Sequence, residues 1–265
     1  MTEPQARRRA RALERAVTIA DLRLLARRRL PKAVFDFIEG GAEDERTLRA
    51  NVEDFESWVL MPRVALDVGQ RDPKVTILGR PAALPLIMSP TGLAGFYWRG
   101  GEGASVRAAA RANIPYCLST TSVASLEQVA EAAPDADRWF QLYFLRDRDR
   151  MDGLVRRAAA AGYRVLCLTV DLALSGRRER DVRNGFTMPL RPRLSTVLDL
   201  ARRPGWLIDA ARSKPRFGNF ETAGSGGFTN IAQYVATQFD PSADWDDVAS
   251  GSILTFGTAA REPTL

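Results

Sequence analysis

The chain has 265 residues, of which 45% are hydrophobic and 26% charged, and its formal net charge is +6. This composition is typical of a soluble globular protein with a substantial core. Residues 1–30 contain nine arginines against Glu3, Glu14 and Asp21, and therefore carry the whole surplus of positive charge. We interpret these arginines as a solvated helix face; salt-sensitive binding to nucleic acid or to an anionic membrane is the alternative.

Other simple features argue against several classes of protein. No apolar run follows the arginines or approaches the length of a membrane span, so we expect neither a secretory signal nor a membrane-spanning helix, and a cytosolic location. Cys117 and Cys167 lie in apolar runs without metal-ligand spacing, which predicts buried, reduced thiols and no metal site. The chain contains no histidine, so a general base near neutral pH would have to be another side chain.

The first 60 residues predict a helical lead-in. Thr18 followed by Asp21 has the form of an N-cap with an acid in the first turn of a helix. A second helix is predicted from Pro31 to the glycines at 40–41. A third is predicted to begin with the three acids at 43–45, because negative charge is favourable at a helix N-terminus.

From Leu84 onwards, short apolar runs alternate with alanine-rich segments of helical spacing. The runs cover residues 84–90, 114–120, 138–144 and 163–171. This alternation predicts consecutive βα units and a parallel sheet. Each run ends in small or polar residues, and ligand sites of parallel α/β folds form at the carboxyl ends of the strands. The sequence therefore predicts one site assembled from four strand ends.

Residues 185–240 lose this rhythm and mix proline, arginine and apolar residues. Amphipathic helices are predicted around 195–202 and 206–212. A segment of this length without a strand is typical of a lid or an insertion. Its basic and apolar mixture permits contact with a membrane surface, although an ordinary solvated helix is the simpler interpretation.

Six sequence blocks occur in a fixed order: FDFIEGGAEDERTLRAN, MSPTGLAG, LSTTS, WFQLYF, LTVDLALSGRRERDVRNGF and FDPSADWDDV. From about Phe35 to about Val248 the chain resembles the FMN-dependent 2-hydroxy-acid dehydrogenases and oxidases, a family that includes glycolate oxidase, L-lactate dehydrogenase and mandelate dehydrogenase. The resemblance implies a (β/α)8 TIM barrel with FMN at its C-terminal face. It also implies oxidation of a lactate-like or mandelate-like 2-hydroxy acid to the 2-oxo acid, with quinone or oxygen as the electron acceptor.

The resemblance implies two groups of site residues. The backbone of one turn would lie against the flavin ring, and three side chains would hydrogen-bond its polar edge: Pro90, Thr91 and Gly92 in the turn, then Ser119, Gln141 and Thr169. On the substrate side, Tyr143 would hydrogen-bond the substrate, and Asp171 would hold the family's catalytic histidine. Arg178 would bind the substrate carboxylate through its guanidinium group.

The same resemblance implies residues that are missing from this sequence. The family's catalytic histidine, its lysine and its second arginine lie on the fifth strand onward, whereas only about four βα units are visible here. We therefore expect a C-terminally truncated chain, and the alternative function is a catalytically inactive fragment. Phe37 is a further departure, because it stands where the family usually has a tyrosine that contacts the substrate carboxylate.

These interpretations divide the chain into four segments. They are a helical lead-in with a basic arm (1–80), the first half of an FMN-binding barrel (81–184), an irregular insertion or lid (185–240) and a divergent, truncated C-terminus (241–265). We expect a cytoplasmic protein, with peripheral contact at the inner face of the membrane through residues 190–235 as an alternative. The resemblance implies a homo-oligomer for a full-length protein and no nucleic-acid partner.

Overall fold

A computed structural model describes residues 10–171, 176–185, 194–213, 217–220 and 237–249. Contacts divide the chain into two compact units, each built from two segments. The helical unit combines residues 1–60 with 176–214, and the barrel unit combines residues 61–175 with 215–265. Both units join segments that are distant in sequence, and the four-part division made from the sequence remains a prediction.

The elements are numbered here in chain order. The helices are α1 (Ile19–Arg29), α2 (Lys32–Glu39), α3 (Arg46–Glu53), α4 (Ala94–Tyr97), α5 (Gly101–Ala112), α6 (Leu126–Ala132), α7 (Arg148–Ala160), α8 (Glu179–Asn184), α9 (Leu194–Ala201), α10 (Pro204–Ser213) and α11 (Trp245–Ala249). The strands are β1 (Val75–Ile77), β2 (Arg80–Ala82), β3 (Tyr116–Ser119), β4 (Arg138–Tyr143) and β5 (Val165–Thr169).

The helix starts in the lead-in are only partly as predicted. Thr18 caps α1 in a capping box, since its hydroxyl accepts from the Asp21 N–H at 3.2 Å and the Asp21 carboxylate accepts from the Thr18 N–H at 2.9 Å. The second predicted helix is confirmed as α2. The predicted start of the third is wrong, because α3 begins only at Arg46, after the acids. Glu43 and Glu45 have positive φ angles and belong to the preceding loop.

The helical unit is organised around α2, which contacts α1, α8 and α9. Val34 and Phe35 of this helix are buried, and Trp206 of α10 is a further buried side chain in the unit. Helices α9 and α10 confirm the two amphipathic helices predicted near 195–202 and 206–212. The rest of the predicted insertion lies outside the described residues, at 186–193, 214–216 and 221–236.

The barrel unit contains a three-stranded parallel sheet in the order β3-β4-β5. Helices α6 and α7 connect consecutive strands, which confirms the βα alternation read from the sequence. The first predicted strand, 84–90, is wrong as a full strand, because only Met88 pairs with the sheet, in a one-residue parallel bridge to Tyr116. Pro85 and Pro90 flank that bridge, and proline has no N–H to donate to a ladder.

A β-hairpin that the sequence analysis does not predict precedes the sheet. Strands β1 and β2 pair antiparallel around Leu78 and Gly79, which both have positive φ angles. Arg164, just before β5, donates to the Leu78 carbonyl at 2.6 Å and to the Asp137 carboxylate at 2.9 Å. One guanidinium group therefore ties the hairpin to the amino-terminal edge of the sheet.

The two faces of the parallel sheet have different chemistry, because successive side chains of a strand point to opposite faces. One face carries Leu118, Phe140 and Leu142, which are fully buried in the core that also contains side chains of α5, α6 and α7. The other face carries polar side chains at the carboxyl ends of the strands, including Ser119 and Gln141. The register of the sheet thereby gathers the predicted site residues on one face.

Candidate flavin and substrate site

Three side chains predicted to bind the flavin edge lie next to one another at the ends of β3, β4 and β5. The Ser119 hydroxyl donates to Gln141 Oε1 at 3.3 Å, and Gln141 Nε2 donates to Thr169 Oγ1 at 2.8 Å. The register explains this network, since Ser119 lies opposite Gln141, and Thr169 lies opposite Tyr143 two residues further along β4. A single carboxamide thus links three neighbouring strand ends, while the role of the three residues toward a flavin remains a prediction.

The donor set of this network fits the polar edge of a flavin. Gln141 Oε1 also accepts from the Thr120 backbone N–H at 3.3 Å, which fixes the orientation of the carboxamide. Among the described residues, the second N–H of Gln141 Nε2 and the hydroxyl hydrogen of Thr169 have no acceptor. These two donors are therefore available to carbonyl oxygens or ring nitrogens of a flavin.

The turn at Pro90, Thr91 and Gly92 lies beside the end of β3. The next residue, Leu93, donates its N–H to the Thr121 carbonyl at 3.1 Å. A Cβ added to Gly92 would lie 2.5 Å from Thr121 Oγ1, well inside van der Waals contact. Close packing against Thr121 is thus a reason for glycine at this position that does not depend on a flavin.

We expect Gly92→Ala to lower the free energy of unfolding by about 1–3 kcal/mol, because the new methyl group overlaps the Thr121 hydroxyl. Removing that hydroxyl in the double variant Gly92→Ala/Thr121→Ala should recover a large part of the loss. Urea unfolding of both single variants and the double variant measures the coupling between the two positions. Strictly additive effects would contradict the proposed overlap.

Tyr143 and Asp171 belong to the barrel unit and lie at the carboxyl ends of β4 and β5. The Tyr143 ring is half-buried and packs edge-on against Phe239, with 4.8 Å between ring centroids. Tyr143, Thr169 and Phe239 line a cavity of about 50 Å³, which is large enough for water. Burial raises the pKa of Tyr143, and the nearby charge of Asp171 raises it further.

The pKa of Tyr143 provides a test of its proximity to Asp171. We expect Asp171→Asn to lower the pKa of Tyr143 but to leave it above the ordinary value, because burial is the larger cause. The raised pKa means that folding favours the neutral phenol of Tyr143. The stability that Tyr143 contributes in this way is complete below the pKa of the unfolded chain and is lost as the pH rises through the pKa of the folded chain. An NMR titration of the Tyr143 ring carbon measures the shift. An unchanged pKa in Asp171→Asn would contradict the interaction.

Arg178 lies in the helical unit, where its guanidinium group has several protein partners. Its Nε donates to the Asp181 carboxylate at 2.7 Å, and another of its N–H groups donates to the Phe37 carbonyl. The guanidinium carbon lies 4.8 Å from the centroid of the Phe37 ring, in a cation–π contact. These contacts hold Arg178 in one orientation. Its predicted role toward a substrate carboxylate remains untested.

Sequence reasoning misses two polar residues, one in each unit, that contact predicted site residues or the loop beside them. Asp181 is buried and holds Arg178, and the motif RERD already places an acid three residues after that arginine. Asn219 is buried beside the loop that follows β3, where its carboxamide accepts from the Leu126 N–H and donates to Ser122 Oγ at 3.1 Å in each case. No local pattern signals Asn219, because its partners are distant in sequence.

Comparison with known proteins identifies the family. The family model described as FMN-dependent dehydrogenase matches residues 26–252. The chain belongs to this family. The match to the FMN-dependent dehydrogenases confirms the resemblance found in the sequence, and it supports FMN as the cofactor.

Individual FMN-dependent dehydrogenases show how much of a relative the chain matches. It is 41% identical to a putative L-lactate dehydrogenase of Mycobacterium tuberculosis over 240 residues, which cover 90% of this chain and 57% of the relative. It is 39% identical to (S)-mandelate dehydrogenase of Pseudomonas putida, covering 86% of this chain and 58% of that enzyme. The chain therefore spans less than two thirds of the length of these relatives.

Solved structures of the same family confirm the fold class. The crystal structure of the monotopic membrane protein (S)-mandelate dehydrogenase matches with a TM-score of 0.83 and 37% identity, covering 88% of this chain and 62% of the other. A mandelate oxidase with (S)-4-hydroxymandelic acid matches with a TM-score of 0.73 and 34% identity, covering 92% and 62%. The parallel strands β3, β4 and β5 and the helices that connect them thus correspond to part of the (β/α)8 barrel of this family.

Proposed function

We propose that this chain binds FMN at the strand ends of the barrel unit and belongs to an enzyme that oxidises a small 2-hydroxy acid to the 2-oxo acid. The Ser119–Gln141–Thr169 network is the observation that carries the proposal, because it joins three adjacent strand ends and leaves two hydrogen-bond donors, on Gln141 and Thr169, available to a flavin. Relatives named L-lactate dehydrogenase and (S)-mandelate dehydrogenase favour a lactate-like or mandelate-like substrate.

Each proposed role follows from the chemistry of the side chain. Bound FMN would supply the acceptor for two electrons. The Tyr143 hydroxyl would donate a hydrogen bond to the substrate, and its raised pKa favours the protonated form that donates. Arg178 would bind the substrate carboxylate through the N–H groups that do not donate to Asp181 or to the Phe37 carbonyl. Asp171 would hold the family's catalytic histidine, a residue type that these 265 residues do not contain.

A second candidate function is flavin binding without turnover. The 265 residues contain no histidine, whereas the family resemblance assigns removal of the substrate proton to one. The side chains proposed here for the substrate are Tyr143, Asp171 and Arg178, and they do not include the residue type best suited to this proton transfer. On this alternative the strand ends would hold FMN while the substrate stays unoxidised.

We further propose peripheral contact with the cytoplasmic face of a membrane, with quinone or oxygen as the electron acceptor. A related (S)-mandelate dehydrogenase is named a monotopic membrane protein, which supports this location. Within the described ranges, no helix is both long and apolar enough to cross a bilayer. Residues 190–235 remain the proposed contact region, and a homo-oligomer remains the proposed assembly of the full-length enzyme.

The test is the visible absorption spectrum of the purified chain after incubation with FMN and gel filtration, followed by anaerobic addition of lactate or mandelate. Retained flavin that bleaches would support oxidation of the 2-hydroxy acid. Retained flavin that keeps its colour would support binding without turnover. If no flavin is retained, both candidate functions fail for this chain.

A further inference from the structure

The helical unit contains a cleft whose lining is rich in positive charge. Its volume is about 320 Å³, and its walls come from α1, α2, α8, α9 and Arg203, the residue before α10. Five cationic side chains line it: Arg23, Arg27, Lys32, Arg180 and Arg203. A concave surface with several cations concentrates positive potential and attracts small anions. We call this region the arginine cleft.

Most of the negative charge in the arginine cleft already has a protein partner. Three carboxylates line the cleft beside the five cations. Glu39 forms an ion pair with Arg23, and Asp36 forms one with Lys32. The third, Asp199, accepts the backbone N–H of Lys32 at 2.6 Å, so its charge lies against the N-terminus of α2. These carboxylates therefore leave part of the positive charge of the cleft uncompensated.

Arg180 forms an ion pair with Glu45, so two arginines supply the uncompensated charge. Within the part of the chain that the structure describes, the exposed side chain of Arg27 has neither an ion pair nor a hydrogen bond. Arg203 donates to the Arg28 carbonyl and has no acidic partner among the described residues. It directly precedes α10, whose N-terminal dipole adds further positive potential. Two guanidinium groups thus line one cleft without a carboxylate to bind.

We propose that the arginine cleft binds a phosphate group, held by Arg27 and Arg203. A guanidinium group presents paired N–H donors that match the oxygens of a phosphate, and a dianion would compensate both cations. The cleft is open to solvent, so its ligand is either free phosphate or the headgroup of an anionic phospholipid. Helix α9, which carries Asp199, also has exposed apolar side chains at Leu194, Val197 and Leu198. For a lipid headgroup as the ligand, these side chains would insert into the membrane surface beside it.

The proposal is tested with the full chain and two double variants. Arg27→Gln/Arg203→Gln removes the two proposed ligands. Arg63→Gln/Arg71→Gln removes the same charge from exposed positions in the barrel unit and serves as the matched control. Calorimetric titration with inorganic phosphate, in phosphate-free buffer, measures the first source of ligand. Flotation with phosphatidylcholine vesicles, with and without phosphatidylglycerol, measures the second.

We expect the cleft variant to bind at least about tenfold more weakly than the unaltered chain, and the control to bind nearly as well. Saturable phosphate binding without flotation would identify free phosphate as the ligand. Flotation only with phosphatidylglycerol, competed by phosphate, would identify the lipid headgroup. Absence of both, or equal weakening in the control, would overturn the proposal. Because Arg203 also contacts the Arg28 carbonyl, Arg27→Gln alone repeats the test with an exposed side chain. FMN retention tests the strand-end site of the barrel unit, so it reports on the proposed function independently of the arginine cleft.

Discussion

Replacing Gln141 with leucine is expected to weaken FMN binding by about tenfold to a hundredfold. The substitution removes the carboxamide that joins Ser119 and Thr169 and one of the two donors available to a flavin. It also leaves the buried Thr120 N–H without its acceptor, which should lower the free energy of unfolding by about 1–3 kcal/mol. Fluorescence titration of FMN and urea unfolding measure the two effects.

The matched control for this experiment is Gln70→Leu. Gln70 is exposed in the loop before β1, so the same chemical change there should leave both FMN binding and stability nearly unchanged. Equal flavin affinity in Gln141→Leu and in the control would show that the Ser119–Gln141–Thr169 network does not contribute to flavin binding. A loss of stability without a loss of affinity would limit Gln141 to a structural role.

Arg138→Ala is expected to give the largest loss of stability, about 3–5 kcal/mol, because several buried carbonyls lose a charged donor and a cavity is left behind. The Arg138 side chain is only 7% exposed and donates to the carbonyls of Ala133 and Pro134 at 2.7 Å each and to that of Ala161 at 3.2 Å. These carbonyls lie at the C-terminal ends of α6 and α7, where the helix dipoles are negative. Alanine would leave the carbonyls unpaired and a cavity beside the Tyr163 ring, which lies 5.7 Å from the guanidinium carbon.

Two further variants separate charge from shape. Arg138→Lys keeps the charge but cannot make the same set of hydrogen bonds, so it should lose less stability than alanine. Arg156→Ala removes an exposed arginine from α7 and should change the free energy of unfolding by about 0.5 kcal/mol or less. If thermal and urea unfolding give the same stability for Arg138→Ala and Arg156→Ala, the buried arginine does not join the helix ends as described.

The parallel sheet could be predicted from the sequence because its strands are continuous apolar runs followed by amphipathic helices. The hairpin at β1 and β2 could not, since its turn is Leu78-Gly79, and leucine is rare at a positive φ angle. Asparagine or aspartate before the glycine is the usual signal for such a turn. The prediction of a strand at 84–90 failed for a different reason. The segment is apolar, as a buried strand would be, but its two prolines limit pairing with the sheet to Met88.

The gathering of Ser119, Gln141 and Thr169 could be anticipated, because carboxyl ends of neighbouring parallel strands meet at one edge. The surroundings of Arg178 could not, since Phe37 contacts it from 141 residues away in sequence. A local sequence pattern does not show which distant residues will come into contact. Site residues on adjacent strands are therefore easier to predict than site residues whose partners lie in distant segments.

Asn219 has a consequence for the order in which the chain reaches its native form during synthesis. Its carboxamide contacts Leu126, the first residue of α6, and Ser122 in the loop after β3, across sequence separations of 93 and 97 residues. At ordinary ribosomal rates, roughly 5–20 seconds pass between the synthesis of the loop and that of Asn219. During this interval the loop beside Ser119 has no carboxamide partner, so the strand-end network would acquire its final support only after the sheet itself has emerged.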